Sequence, residues 1–340
     1  MYRISLLRSS FTAAAATLLE SEEFTVTACR YPSGVESVTV ANSRGRVEVL
    51  PFLGQMVWDA EFDGVSLRMD SPFRQPYPAA LIEDTYGCFA FHSGLLAAGC
   101  PAPEDVHPLH GEFPCADFEE AWLEIDADSV TVSGRHEYVK GFGDHYEAVP
   151  AVRLAAGSAM FTIDLSVTNL SAARTMPLQY MCHMNYAYSD GARMTQSLPE
   201  GAFRLRESVP AHVVPTADWN ALNQALLNGG IDAGVLDSGL GYDPEIVFFA
   251  DHLDRYPQML EFRLERTDGI TFCTRFSGAD FPVATRWLLH NPDQSVASFV
   301  LPGTSRPEGF LAARAAGTLI ELAPGATRSF SVSTGIKEEA

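Results

Sequence analysis

The 340-residue sequence predicts an all-β protein, a large antiparallel β-sandwich with few short helices. Turn-forming sequences recur at short intervals along the chain, as in YPSG, NSRG, TNLS, YSDG and LPEG. Between the turns, short runs alternate apolar and polar residues with a period of two, which is typical of half-buried strands. Helical periodicity is weak and confined to two stretches. The three observations agree on one fold class.

The predicted strands extend through the whole chain. In the run 160–169, Phe161, Ile163 and Leu165 face one side and the polar residues between them face the other, as in an antiparallel strand with one buried face. Asp268-Gly269 separates two alternating runs, which predicts a hairpin. The clearest strand-like runs are 37–41, 46–53, 121–139, 160–169, 260–276 and 328–336.

Two stretches have helical periodicity. The first is the N-terminal segment, and the second is ADWNALNQALLNGG at 217–230, where Gly229 and Gly230 would end a short helix. No linker, low-complexity tract or fixed-period repeat divides the chain, so residues 1–340 are interpreted as one β-sandwich domain.

Composition restricts the possible partners and compartment. The net charge is −20, from 43 acidic and 23 basic residues, which disfavours nucleic acid and anionic membrane surfaces. No run of about 18 apolar residues is present, so no membrane span is predicted. Six cysteines without regular spacing indicate reduced thiols and a cytoplasmic protein. We expect a monomer or a homodimer.

Two histidine-containing segments are candidates for chemistry. HPLHGEFP, residues 107–114, places His110 on a loop with two prolines, which suits either catalysis or a solvated surface histidine. His183 lies in LQYMCHMNYAYSDGA, residues 178–192, an otherwise apolar and aromatic run. A histidine in such a run is either a core residue or a functional one.

Four segments in order resemble the aldose 1-epimerases, or galactose mutarotases. They are VEVLPFLGQMVWDAEFDGVSL, LHGEFP, CHMNYAY, and FPVATRWLLHN followed by FVLPGTSRPEGF, the last in the form of a divergent bacterial branch. Together they span residues 46–310. The resemblance implies a galactose-mutarotase-like β-supersandwich that binds a sugar in a cleft on one concave sheet, without an organic cofactor.

The resemblance also implies roles for the two histidines. His183 matches the general acid that protonates the ring oxygen of the sugar, and His110 matches the histidine that holds the substrate and polarises that oxygen. Opening a hemiacetal requires a proton at the ring oxygen and removal of another from the anomeric hydroxyl. Histidine suits the acid role because its ordinary pKa lies near neutrality.

One position departs from the family pattern. The general base of the family is a glutamate directly before the proline of the C-terminal turn, and Leu301 occupies that position here. A substitute carboxylate would be Glu112, Asp280 or Glu308, the acidic residues nearest to the matching motifs. Because the glutamate is missing, we expect weak or no acceleration of glucose or galactose mutarotation, and a modified sugar as the substrate if a substitute carboxylate acts. A non-catalytic sugar-binding protein is then the alternative.

Further residues are candidates for binding. Substrate contacts are predicted for Arg74, Glu112, Asp251 and Trp287. A second alternative is a metal-assisted sugar isomerase, epimerase or lyase. Its divalent ion would bind at His107, His110 and Glu112, because imidazole and carboxylate suit such ions.

Overall fold

A computed structural model describes residues 2–210 and 213–338. It confirms the all-β prediction, because two antiparallel sheets account for most of the ordered elements and only two short α-helices are present among these residues. The strands are β1 Tyr2–Leu6, β2 Ala16–Glu20, β3 Thr25–Arg30, β4 Glu36–Ala41, β5 Gly45–Val49, β6 Val57–Phe62, β7 Val65–Ser66, β8 Ala90–Leu95, β9 Glu120–Ile125, β10 Ser129–Val139, β11 His145–Ala155, β12 Met160–Asn169, β13 Met176–Met184, β14 Arg193–Gln196, β15 Arg204–Leu205, β16 Ile246–Asp251, β17 Met259–Glu265, β18 Thr271–Ser277, β19 Val283–His290, β20 Ser295–Gly303, β21 Ile320–Leu322 and β22 Thr327–Ile336. The helices are α1 Ala217–Leu227 and α2 Phe310–Ala316, and single 3-10 turns cover Arg8–Ser10, Ile82–Thr85, Ser238–Leu240 and Leu253–Arg255.

The strands form a nine-stranded and a thirteen-stranded sheet. The smaller sheet has the order β1-β9-β10-β11-β12-β22-β18-β17-β14. The larger sheet has the order β15-β16-β19-β20-β13-β8-β6-β5-β4-β3-β2, with β7 paired to β6 and β21 paired to β13. The main hydrophobic core contains residues of both sheets, including Phe161, Ile163 and Leu165 of β12, as the alternation in that strand predicts.

The predicted hairpin at Asp268-Gly269 is present. β17 and β18 pair antiparallel from Met259↔Ser277 to Glu265↔Thr271. Gly269 has a φ of 87°, a left-handed conformation that glycine adopts without a steric penalty.

The helix predictions were correct in the middle of the chain and wrong at its start. α1 begins after Thr216, whose side chain accepts a hydrogen bond from the Trp219 amide, and it ends just before Gly229. The N-terminal segment forms β1 and β2 instead of a helix, because each finds a strand partner: β1 pairs with β9 and β2 with β3. Tertiary pairing overrides local periodicity there. Within the described residues, no helix combines the length and apolar character needed to cross a membrane.

A β-bulge modifies the larger sheet. Thr285 pairs with Leu301 while Trp287 pairs with Ser298, so Phe299 and Val300 together face the single residue between them on β19. The extra residue shifts the alternation of side chains along β20. Leu301 therefore pairs with Thr285, and both side chains lie on the outer face of the sheet. The outer face is the side on which the candidate site lies.

Glu112 links the loop after β8 to the smaller sheet. Its carboxylate accepts hydrogen bonds from the amides of Leu95 and Leu96 at 2.9 and 3.1 Å and from the Tyr146 hydroxyl at 2.8 Å. Tyr146 belongs to β11 and is fully buried. This carboxylate therefore has a structural function in the fold.

Replacing Glu112 with alanine should destabilise the protein substantially. The change leaves two backbone donors and one hydroxyl without their acceptor, and each unsatisfied buried donor costs about 1–3 kcal/mol. Glu112→Gln keeps an acceptor oxygen and should lose less. Urea unfolding of both variants measures the difference, and equal stability of Glu112→Ala and the wild type would contradict this role.

Candidate active site

A cavity of about 320 Å³ opens on the outer face of the larger sheet. Its volume is within the range of small-molecule sites. Strands β13 and β19 contribute alternate residues to it, β16 and β20 contribute one residue each, and five loops close its sides. The lining residues are Pro72, Phe73, Glu83, Tyr86, Cys100, Leu109, His110, Met181, His183, Arg206, Pro244, Glu245, Val247, Thr285, Trp287, Leu289, Gln294, Leu301 and Pro307. The wall is mostly apolar, with a few polar side chains.

His183 lies on β13 at the centre of an aromatic cluster. Its imidazole stacks on Phe91 at a centroid distance of 4.5 Å, and the rings of His110, Trp287 and Tyr86 approach it edge to face at 4.8, 5.5 and 6.0 Å. Only 3% of the residue is exposed. His183 is therefore surrounded by aromatic rings and still lines the cavity.

Burial changes the protonation of His183. It lowers the pKa to about 3, because charging the imidazole would require solvation that the aromatic rings do not supply. An interaction with the Asn185 side chain acts in the opposite direction, but it is weak, since no hydrogen bond of normal length reaches Nδ1 among the described residues. Nε2 lies 3.3 Å from the Tyr86 hydroxyl. At neutral pH this imidazole is uncharged, unlike a histidine with the ordinary pKa near 6.5.

His110 reaches the same cavity from a constrained loop. It has a φ of 62°, and its backbone amide donates to the Gly99 carbonyl while its carbonyl accepts from the Gly94 amide. The Ser93 hydroxyl lies 3.0 Å from Nδ1 and fixes the ring. Gly111 follows with a φ of 84°, and a Cβ there would lie 2.0 Å from the Ala97 carbonyl oxygen. Only glycine fits, so the His-Gly pair determines the path of the loop.

Leu301 lies in the cavity wall where the family pattern has a glutamate. The register that pairs Met181 with Gly303 on β13 and β20 places Leu301 beside His183. The leucine is fully buried and apolar. No proton acceptor is present at this position.

Trp287 is the only member of the four predicted substrate contacts that lines the cavity. Its indole N–H donates to Glu245 Oε2 at 2.7 Å. Arg74 is exposed and outside the lining, although its neighbour Phe73 contributes to the wall. The structure brings Trp287 together with both predicted histidines but leaves Arg74 and Glu112 outside.

The remaining predicted carboxylates also lie elsewhere. Asp251 forms an ion pair with Arg306 and, together with Glu308, lines a separate cavity. Asp280 accepts a hydrogen bond from Arg328 at 2.9 Å. None of the three lines the cavity that contains the histidines.

The proposed metal ligands do not form a cluster. His107 Nδ1 lies 2.8 Å from the Pro108 carbonyl, its Nε2 accepts from the Phe310 amide at 3.3 Å, and Glu112 is bonded as described above. Across residues 2–210 and 213–338, no group of three or more His, Cys, Asp or Glu side chains is arranged to hold a metal ion.

The polar residues of the cavity that sequence reasoning missed include Glu83, Tyr86, Arg206 and Glu245. Arg206 is mostly buried, and its Nε donates to Ser208 at 2.9 Å and lies 3.5 Å from Glu308. None of the four belongs to a recognisable motif. Their only sequence signal is that each lies in or beside an irregular segment between strands, where site residues are common.

The buried His183 should make the protein less stable in acid. The unfolded chain binds a proton with a pKa near 6.5, whereas the folded imidazole does not until about pH 3. Its contribution to stability is complete above pH 6.5 and is lost as the pH falls toward 3. Between pH 6.5 and about 5, the wild type should lose about 2 kcal/mol more of its unfolding free energy than His183→Phe. Urea unfolding at several pH values measures this, and parallel pH dependences would contradict a neutral imidazole.

Solved structures share this fold at low sequence identity. A "putative aldose 1-epimerase" from Klebsiella pneumoniae has a TM-score of 0.81 and 16% identity, over 98% of this chain and 91% of that protein. A galactose mutarotase-like protein from Clostridium acetobutylicum has a TM-score of 0.62 and 14% identity, over 94% of this chain and all of that one. One from Lactobacillus casei has a TM-score of 0.59 and 13% identity, over 88% and 100%. These similarities establish a galactose-mutarotase-like fold.

The sequence comparisons place the chain in one family. No curated protein matches the sequence. The family model described as "Domain of unknown function (DUF4432)" matches residues 32–204, just over half of the chain. This protein, a galactose-mutarotase-like β-sandwich with two histidines in one apolar cavity, therefore belongs to the DUF4432 family.

Proposed function

We propose that the protein is a carbohydrate-active isomerase of the aldose 1-epimerase type, which opens and recloses the ring of an aldose or modified aldose. The observation that carries the proposal is the meeting of His110 and His183 in one small cavity, with ring centroids 4.8 Å apart. The names of the structural relatives, which include aldose 1-epimerase and mutarotase-like proteins, support the same reaction class.

The histidine pair supplies the proton that the ring oxygen needs. Because the pKa of His183 is lowered to about 3, we assign to it a neutral role, holding the ring oxygen by a hydrogen bond. Neutral histidine acts in this way as an electrophile in other isomerases. His110, oriented by Ser93, then delivers the proton as general acid.

The rest of the cavity suits a sugar. Trp287 and Leu301 offer apolar surface to the C–H groups of a sugar ring, and Arg206, Gln294 and Glu245 offer donors and acceptors for its hydroxyls. We propose that the enzyme works without an organic cofactor. Its cysteines are free, which supports a reducing cytoplasmic setting.

A non-catalytic sugar-binding protein is the second candidate. The observation that favours it is the buried leucine at position 301, where the family pattern has the general base. Binding without turnover would separate this candidate from the enzyme.

The enzyme should accelerate exchange between the anomeric NMR signals of at least one aldose. A suitable panel contains glucose, galactose, xylose, arabinose, glucuronic acid and glucose 6-phosphate. For the best substrate, His110→Gln and His183→Asn should each lower kcat/KM about 100-fold or more, because positioned acid–base groups contribute that much.

His252→Asn is the control, since this exposed histidine lies in the separate cavity and has a positive φ that asparagine tolerates. Its activity should equal that of the wild type. Saturable binding of a panel sugar without any acceleration of its anomer exchange would reject the isomerase and support the second candidate.

A further inference from the structure

We propose that Glu245 is the general base of this site and takes the proton of the anomeric hydroxyl. This inference rests on the proposed function. In the family pattern, the general base is a glutamate at position 301 on β20. Here we assign that role to a residue beside β20, on the side opposite to His183.

The choice begins with the acidic residues that the cavity contains. Among the described residues, two carboxylates line it, Glu83 and Glu245. Glu83 is exposed on the 3-10 turn Ile82–Thr85, at the edge of the wall. Glu245 is half-buried and lies directly before β16. A base that must face one defined hydroxyl requires the more constrained of the two positions.

Two indole rings fix Glu245. The Trp287 indole N–H donates to its carboxylate Oε2 at 2.7 Å, and the Trp219 indole N–H donates to its backbone carbonyl at 2.7 Å. Trp219 belongs to α1 and Trp287 to β19, so separate elements hold the backbone and the side chain. Short, independent hydrogen bonds of this kind preorganise a catalytic group.

The order of strands places the base opposite the histidines. In the larger sheet, β16 and β19 lie on one side of β20, whereas β13 and β8 lie on the other. His183 therefore projects from one side of the strand that carries Leu301, and Glu245 from the other. The Trp287 indole spans the gap. Its ring centroid lies 5.5 Å from that of the His183 imidazole, and its N–H donates to the Glu245 carboxylate.

A sugar against this indole would have the histidines at one edge and the carboxylate at the other. An acid and a base at opposite edges are what ring opening requires, because protons are added and removed at different oxygens. The cavity of about 320 Å³ matches a single sugar ring in scale.

The reaction balances with these groups alone. Glu245 takes the proton of the anomeric hydroxyl, the electrons of that O–H bond form the C1=O1 bond, and the C1–O5 bond breaks. Its electron pair stays on O5, which accepts a proton from His110. After rotation about C1–C2, the O5 hydroxyl attacks the other face of the carbonyl and returns its proton to His110, while Glu245 gives its proton back to O1. No oxidant, reductant or second substrate is needed.

The test is Glu245→Gln, assayed with the panel aldose that the wild type accelerates most. Glutamine keeps an oxygen that can accept the Trp287 N–H, so the indole wall is retained while the base is removed. We expect kcat to fall about 100- to 10,000-fold with KM changed little. In Glu245→Ala, added formate should restore part of the activity, which a purely structural role would not allow.

Controls separate this inference from the proposed function. Asp280→Asn removes a carboxylate that is bonded to Arg328 outside the cavity, and it should retain wild-type activity. A Glu245→Gln enzyme within about threefold of the wild type, or a loss found in Glu83→Gln instead, would overturn the role of Glu245 alone. If the wild type accelerates no aldose, the proposed function fails and the base assignment fails with it.

Discussion

The exclusion of water around His183 is the constraint on which the site depends. Aromatic rings on neighbouring strands and loops surround the imidazole and keep it uncharged at neutral pH. Within such a low-dielectric wall, each remaining polar group interacts strongly with a ligand, but it must be held by a partner of its own. Ser93 holds His110 in this way, and Trp287 holds Glu245.

Departures from regular strand geometry bring the site residues together. A regular strand can present only alternate residues to one face of a sheet. The β20 bulge places Leu301 on the cavity face, and the loop that contains His110 uses two successive positive φ angles to reach the same face. Both irregularities cost conformational energy, and strained backbone of this kind concentrates at functional sites.

Sequence patterns predicted the fold well because strand alternation and turn chemistry are local properties. They predicted the N-terminal segment wrongly. β1 forms only by pairing with β9, which is distant in sequence, whereas β2 pairs with the adjacent β3. The histidine pair was found through family resemblance. Glu245 was not found, because its approach to the cavity depends on the order β16-β19-β20, a non-local property. Glu112 and Asp280 were near the motifs in sequence, but Tyr146 and Arg328 hold them elsewhere.

The base that we propose at position 245 would replace the glutamate that the family pattern has at position 301. Strands two apart in a sheet are about 10 Å distant, so Trp287 must lean across β20 to contact His183. Leu301 and Trp287 both line the cavity, so its wall is apolar beside His183. A carboxylate enclosed at that point would have its pKa raised by desolvation, as buried acids do. Glu245, by contrast, is half-buried and accepts a hydrogen bond from the same indole. In the proposed arrangement, the base therefore lies at the edge of the cavity wall, and an apolar side chain occupies position 301 beside His183.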